Sequence, residues 1–472
     1  MSKTILAVDV GSTKISAVIA ELSDDGHLEI TGHGFAKSQG IKKGIIIAIK
    51  DASSSIKKAV ADARRIAGNN IALATISISN AYTQSLDSVG IVNIPHKDIT
   101  LKEINRAMEA ALYNANIPSE YEVIHALPFS FKVDNQNHIE DPYGMNASRM
   151  EVNAHIIMAP KSSLLNVIKA ARMAGLDVES VVLNGYASAI AVMNEDERQL
   201  GAAVIDMGGE TSNLIIHTGH SIRYNDFIPV GSNHITNDLT MALNTPPQDA
   251  EKVKIQYGDV AHKSTEVIEL PSTGDRAQRN LFSLESVYTV VTARVEELLV
   301  LLERSFVRSA LQNQVGSNII LTGGMTKLQG LSELAQAVFQ VKPVRIGFPR
   351  ALGGLFDDEL NDPASSTVVG LLLYRAGEHT QYEVDHTRRL LHGKQVDEHS
   401  EDDLTNIRLR EKKSSHPKVP DDLLDGKPSK GQYSDDGAGN AEKHFSIETL
   451  AHPSQDGRNM VDRLANWLKQ LF

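Results

Sequence analysis

ILAVDVGSTKISAVIAE (Ile5–Glu21) and AAVIDMGGETSNLIIH (Ala202–His217) share one pattern: an apolar run, an aspartate, one residue, a glycine, small polar residues and a second apolar run. Each run reads as a strand from the interior of a sheet. A glycine at the strand end lets backbone N–H groups approach an anion closely and adopts φ > 0 without strain. Taken singly, such a turn is more often an ordinary tight turn. Two of them, about two hundred residues apart, point to a duplicated unit facing one shared phosphate. In that reading Ser12, Thr13 and Thr211 add hydroxyl donors and Lys14 adds a point charge. Asp9 and Asp206 hold Mg²⁺ through water, because that ion keeps several waters and uses only one or two carboxylates. A third turn, TGGM (Thr322–Met325), follows the strand-like NIIL; it has no aspartate and suits the nucleoside end. None of the three matches the G-x-x-x-x-G-K-[ST] phosphate loop or G-x-G-x-x-G, so those two readings have no support.

Outward from these turns, strand-like runs such as ALATISIS alternate with stretches of helical spacing such as SSSIKKAVADARRIA and VTARVEELLVLLERSFVRSAL, which predicts an α/β architecture. A chain of 472 residues is too long for one core. The net charge of −12 and a sequence pI near 5.8 argue against a nucleic-acid partner. With no cysteine there is no disulfide framework, thiolate nucleophile or cysteine-based zinc site, and a reducing cytoplasm fits. MSKTILAVDV does not have the pattern of a secretory signal, and no apolar run is long enough to span a bilayer.

The character changes after Arg375. Gly377 to Asp456 holds 17 acidic and 11 basic residues, giving half of the chain's net charge. Such a segment is expected to be a disordered linker, because it offers too little apolar surface to offset its ordering entropy. Its seven histidines are expected to be simply solvated. The chain then closes on NMVDRLANWLKQLF, which contains its one tryptophan. At about 100° per residue, Met460, Val461, Leu464, Ala465, Trp467, Leu468, Leu471 and Phe472 fall in one arc of roughly 160°, with Arg458, Arg463 and Lys469 outside it. That is the profile of a helix lying in a membrane interface, with cations near anionic head groups and the indole at head-group depth. The alternative is packing on the folded body or on a partner helix.

At these residues the sequence resembles the actin-like ATPase superfamily and, within it, the FtsA family of bacterial cell-division proteins. The paired hairpins look like the superfamily's two phosphate motifs and NIILTGGMTKLQGLSELA like its adenosine motif. FIPVGSNHITNDL followed by AEKVKIQYG, and VIHALPFSFKVDNQNHIEDPYGM, are similar to FtsA rather than to actin, heat-shock chaperones or sugar kinases. The resemblance implies an actin-like fold of two duplicated α/β domains around a nucleotide cleft. A first subdomain would span 1–83, completed by 162–198 and about 360–376. An inserted small α+β subdomain would span 84–161, and a second domain 199–359, with 233–312 as its outer part. A linker at 377–456 and a membrane-targeting helix at 457–472 would follow.

Carried onto matching positions, the resemblance implies ATP with Mg²⁺ as the cofactors. Asp9, Gly11, Ser12, Thr13 and Lys14 would form the first phosphate turn, and Asp206, Gly208, Gly209 and Thr211 the second. Gly323, Gly324 and Met325 would lie against the nucleoside, with Glu251 and Lys254 reaching the ribose and adenine. It implies as partners the C-terminal tail of the tubulin-like division protein FtsZ, met by Arg304 and Arg308, further copies of the chain in a filament, other divisome proteins and an anionic membrane surface. The implied location is peripheral, on the cytoplasmic face of the inner membrane at the septum. One departure concerns Glu210, where the superfamily often has glycine: it adds a Cβ and a negative charge beside the expected phosphate. Hydrolysis is therefore expected to be weak or absent. The rival readings are a pilus-assembly actin-like ATPase, which normally lacks such a tether and helix, and a sugar-kinase-like phosphotransferase, for which no general base stands out.

Overall fold

The computed structural model describes residues 2–274, 277–340 and 342–392. The chain begins with a three-strand meander, β1 (Lys3–Val10), β2 (Lys14–Leu22) and β3 (Leu28–Lys37), followed by a small hairpin, β4 (Ile41–Lys42) and β5 (Ile45–Ile46), then α1 (Ile49–Ala67) and β6 (Leu73–Ile78). The inserted subdomain comprises β7 (Gln84–Asn93), α2 (Leu101–Asn114), β8 (Tyr121–Val133), β9 (Gln136–Ile139) and β10 (Arg149–Pro160). The first lobe resumes with α3 (Lys161–Met173), β11 (Asp177–Leu183), α4 (Asn184–Val192) and α5 (Glu195–Leu200).

The second lobe opens with another meander, β12 (Ala202–Met207), β13 (Ser212–Thr218) and β14 (Ser221–Ile228). It continues through α6 (Ser232–Ala242), α7 (Pro247–Tyr257), β15 (Val267–Pro271), β16 (Arg279–Ser283), α8 (Leu284–Arg308), β17 (Ile319–Thr322), α9 (Leu331–Phe339) and β18 (Val344–Ile346). The chain returns to the first lobe with β19 (Gly353–Gly354) and α10 (Ser366–Arg375).

The two main sheets repeat one topology. In the first, β3-β2-β1 is antiparallel and continues through parallel β6 and β11; in the second, β14-β13-β12 is antiparallel and continues through parallel β17 and β18. The register repeats as well, with Asp9 opposite Ser16 and Asp206 opposite Asn213. The expected duplication is thus present down to the hairpin. The return into the first lobe, expected near 360, begins earlier, because Gly353–Gly354 already pairs with the β3 edge.

Helices α4 and α10 are buried along nearly their whole length, as helices apolar on every side must be. They cross closely at Gly370, where an added Cβ would lie 1.8 Å from the Ala187 carbonyl oxygen. Helix α10 packs on β1, β2 and β6, while α4 packs on β12, β13 and β17. One continuous core joins Leu6, Val8, Ala187, Leu371 and Leu372 of the first lobe to Val204 and Ile215 of the second.

The insert is an α+β unit with strand order β7-β10-β8-β9 and α2 against β7 and β10. Gly90 lets α2 approach, since a Cβ there would meet the Ala107 carbonyl oxygen at 1.9 Å. Thr100 and Glu103 close the start of α2 with a capping box. The insert also reaches the second lobe: the Arg223 guanidinium on β14 lies 3.6 Å from the Phe129 ring centroid, and His155 Nε2 lies 3.1 Å from Asn225 Oδ1.

The expectation of a linker beginning at Gly377 is corrected. Gly377 to His392 is a strap packed on the insert, in which Val384 exchanges both backbone hydrogen bonds with Ala126, at 2.9 and 3.0 Å. Glu383 is fully buried. It takes hydrogen bonds from His125 Nδ1 at 2.6 Å, Tyr374 at 2.9 Å and Tyr186 at 3.0 Å. The Leu183 N–H donates to His125 Nε2 at 3.0 Å, which fixes Nδ1 as the ring's donor toward Glu383. Composition misleads here because the buried acids are satisfied by protein groups, Glu383 by the distant His125 and Tyr186 and Asp385 by Thr387 and Arg389 of the strap itself. The rest of the expected linker, 393–456, and the terminal helix with Met460, Val461, Arg463, Leu464, Trp467, Leu468, Lys469, Leu471 and Phe472 lie outside the described residues. Among the described residues, no helix is long and apolar enough to cross a membrane.

Candidate nucleotide cleft

The two duplicated hairpin turns meet. A Cβ built on Gly209 would lie 1.8 Å from Thr13 Oγ1 and 3.1 Å from Thr13 Cβ, so the second turn closes on the first as it stands because residue 209 has no side chain. Each turn is itself tight: a Cβ on Gly11 would meet the Lys14 carbonyl oxygen at 2.6 Å, and the Gly208 N–H donates to the Thr211 carbonyl oxygen at 2.9 Å. The start of α6 holds the second turn from behind, with the Ser232 and Asn233 N–H groups donating to the Gly208 and Gly209 carbonyl oxygens at 3.0 and 2.7 Å.

Asp9 and Asp206 stand at the bases of the turns. Burial pushes the Asp9 carboxyl up to about 6, against a Ser77 hydrogen bond that favours its ionised form, and the charge of Asp206 raises it further. Burial likewise pushes Asp206 up to about 6, opposed by Ser188 and Thr367. Ser77 donates to Asp9 Oδ1 at 2.8 Å and Ser188 to Asp206 Oδ2 at 2.9 Å. Two poorly solvated carboxylates that repel one another fit a divalent cation, whose charge would relieve both costs. Burial lowers the Lys14 ammonium's pKa, offset in part by Asp9. It lies 4.5 Å from the Phe35 ring centroid and 3.4 Å from Ser365 Oγ.

The third turn abuts the second. Gly323 has φ 90°, and a Cβ there would lie 2.5 Å from Asp206 Oδ1. Gly324 begins a short 3-10 turn, and the Met325 side chain is buried in the second-lobe core. Glu251 and Lys254 pair with each other at 2.8 Å, and the Lys254 ammonium also donates to the Ser232 carbonyl oxygen at 3.2 Å and to Thr236 Oγ1 at 3.0 Å. They brace α7 against α6. Arg308 is held by Asp226, whose carboxylate also accepts from Ser305, while Arg304 is exposed on α8. The Glu210 carboxylate accepts the Lys43 N–H of the β4–β5 hairpin.

Sequence reasoning missed the supporting residues Ser77, Ser188, Thr367, Ser365 and Lys43. No local signal marks them, since small polar residues at strand ends and in helices are common and their partners lie far along the chain. The one available hint was ISISN (Ile76–Asn80), a strand end carrying alternate serines.

Two sheets of repeated topology, two buried helices between them and paired Asp-x-Gly turns define the actin-like fold. A family model described as "Cell division protein FtsA" matches residues 203–370, and a second, "SHS2 domain inserted in FTSA", matches 80–158. Proteins named cell division protein FtsA are 37% identical in Helicobacter pylori (91% of each chain), 37% in Pseudomonas aeruginosa (79% of this chain, 89% of that one) and 30% in Escherichia coli K12 (82% and 94%). The chain belongs to the FtsA family of cell-division proteins. The fold is also similar to a solved PilM-PilN type IV pilus biogenesis complex, with TM-score 0.57 and 18% identity over 78% of this chain and 98% of the other. That likeness extends to the fold alone.

Proposed function

We propose that the chain binds ATP with Mg²⁺ between its two hairpin turns and serves as an adaptor that holds FtsZ filaments to the inner face of the cytoplasmic membrane at the septum. The observation that carries the reading is the contact of Gly209 with Thr13 at two turns that begin from the half-buried Asp9 and the buried Asp206. In this reading Gly11, Ser12, Thr13, Lys14, Gly208, Gly209 and Thr211 contact phosphate oxygens. Asp9 and Asp206 hold the hydrated ion, which when bound neutralises phosphate charge. Gly323, Gly324 and the Met325 backbone face the nucleoside, and Glu251 and Lys254 reach the ribose and adenine by exchanging their mutual contact for the ligand's hydroxyls and ring. Glu210 stands where the superfamily often has glycine and brings a negative charge to the second turn, so binding and retention are the expected chemistry, with little turnover.

Family membership supports the partners: the FtsZ C-terminal tail on the subdomain that carries α8, with Arg304 the better-placed arginine because Arg308 is already engaged; further copies of the chain; and other divisome proteins. The membrane contact belongs to 457–472. One such helix binds modestly, and assembly multiplies it through avidity.

Two measurements test this. Titration with a fluorescent ATP analogue in Mg²⁺ should show saturable binding that D206N abolishes. Full-length chain should pellet with anionic vesicles, more so with ATP, and deletion of 457–472 should remove it; equal pelleting by the deleted chain would overturn the anchor.

A further inference from the structure

The tip of the β4–β5 hairpin lies across both phosphate turns. Lys43 and Gly44 form it with φ of 49° and 76°, and consecutive left-handed residues turn their N–H groups to the same end, as successive amides do in anion-binding turns. The Lys43 N–H donates to the Glu210 carboxylate of the second turn, and the Gly44 N–H donates to Ser12 Oγ of the first at 3.1 Å. One pair of adjacent amides therefore engages both turns at once. The tip is seated firmly, because a Cβ on Gly44 would lie 2.1 Å from Ser79 Oγ. Lys42 and Lys43 leave their side chains exposed, so the hairpin brings positive charge as well as donors to this edge of the cleft.

A carboxylate and a phosphate present the same kind of anionic oxygen to an amide, and each accepts a charge-assisted hydrogen bond from it. Glu210 directly follows Gly209, which faces Thr13, and its carboxylate already takes the Lys43 N–H. Asp9 and Asp206 lie at the same turns, so an arriving phosphate meets three acids; those two belong to strands and are held by Ser77 and Ser188, whereas Glu210 lies between strands. Its carboxylate also links the second turn to the first-lobe hairpin, so displacing it would exchange that one link for a link through the phosphate.

We propose that Glu210 is a built-in competitor for the terminal phosphate of a nucleoside triphosphate, and that the Lys43 and Gly44 amides are a third phosphate-binding element to which that phosphate gains access by displacing the carboxylate. This rests on the reading of the cleft as an ATP site and adds to it a means of discriminating nucleotides. A diphosphate reaches the two turns but does not compete for the hairpin; a triphosphate does both.

The test compares ATP and ADP affinities of the full chain, in Mg²⁺, for wild type, E210A and E210Q, with thermal melting to confirm folding. E210A should bind ATP about tenfold more tightly, the scale of one charge-assisted hydrogen bond regained, with ADP affinity changed by less than about twofold. E210Q keeps an acceptor without the charge and should fall between. Equal changes for ATP and ADP, or no change in either variant while wild type binds both, would overturn this proposal and leave the cleft reading intact. Binding of neither nucleotide by any of the three proteins would overturn the cleft reading and this proposal together.

Discussion

Thr13 and Gly209 touch across the cleft, each at the apex of its own strand–Asp–x–Gly hairpin, with no room for a methyl group between them. The contact ties the two lobes through residues 196 positions apart in sequence. It makes the smallest substitution there a sensitive probe.

Gly209→Ala should weaken ATP binding by at least tenfold while lowering the melting temperature by only a few degrees, because the clash separates the turns rather than the cores. Thr13→Ala removes Oγ1 and leaves its Cβ 3.1 Å from the new methyl. The double variant should therefore pack better than Gly209→Ala alone. Calorimetric titration of the single and double variants checks both statements.

The aspartate pair gives a pH dependence with a definite sign. Both carboxyls are pushed up to about 6 in the folded chain from the ordinary aspartate value of 3.8, so between those limits the folded chain holds more protons than the unfolded one. Stability from these groups is present below about 4 and is lost as pH rises through 6, by an amount of order 1–3 kcal/mol per group. Subtracting the melting curve of D206N from that of wild type at each pH isolates the effect. Adding Mg²⁺ at pH 7 should recover stability in wild type more than in D206N.

Glu383 anchors the strap. Glu383→Ala leaves His125, Tyr186 and Tyr374 without their shared acceptor in a buried site, and loss of about 3–5 kcal/mol is expected. Burial, with Glu383 nearby, already pushes both tyrosine hydroxyls well above their usual range, so neither ionises to compensate. Denaturant unfolding gives the magnitude, and a chain ended at Ala376 should melt well below one ended at Gly393.

The stacking of Arg223 on Phe129 joins the insert to the second lobe. A double-mutant cycle with Arg223→Ala and Phe129→Ala should give a coupling of about 0.5–2 kcal/mol. A value indistinguishable from zero would mean that the insert and that lobe contribute independently to stability.

The duplicated hairpins were legible because everything that makes them is local. β-Branched apolar runs favour interior strands, an aspartate ends each run, and glycine supplies the tight approach. The same locality made the third turn readable, at the end of β17. Glu251 and Lys254 were recognised as a pair one helical turn apart, yet their shared work in bracing α7 on α6 depends on Ser232 and Thr236, which spacing on one helix cannot show. The partner of Arg308 was hidden for the same reason, since Asp226 lies on another element.

The amino-acid sequence by itself determined the two-lobed α/β body, the position of its Asp-x-Gly turns and the family to which it belongs, because those features are written in periods and motifs a few residues long. Only the tertiary structure decided where Glu210 points, which hydroxyls hold the aspartates, and that Gly377 to His392 is packed rather than loose. Each of those outcomes rests on a pairing between groups distant in sequence. A polar residue looks the same in a chain whether water or a buried partner satisfies it, and folding alone chooses between them.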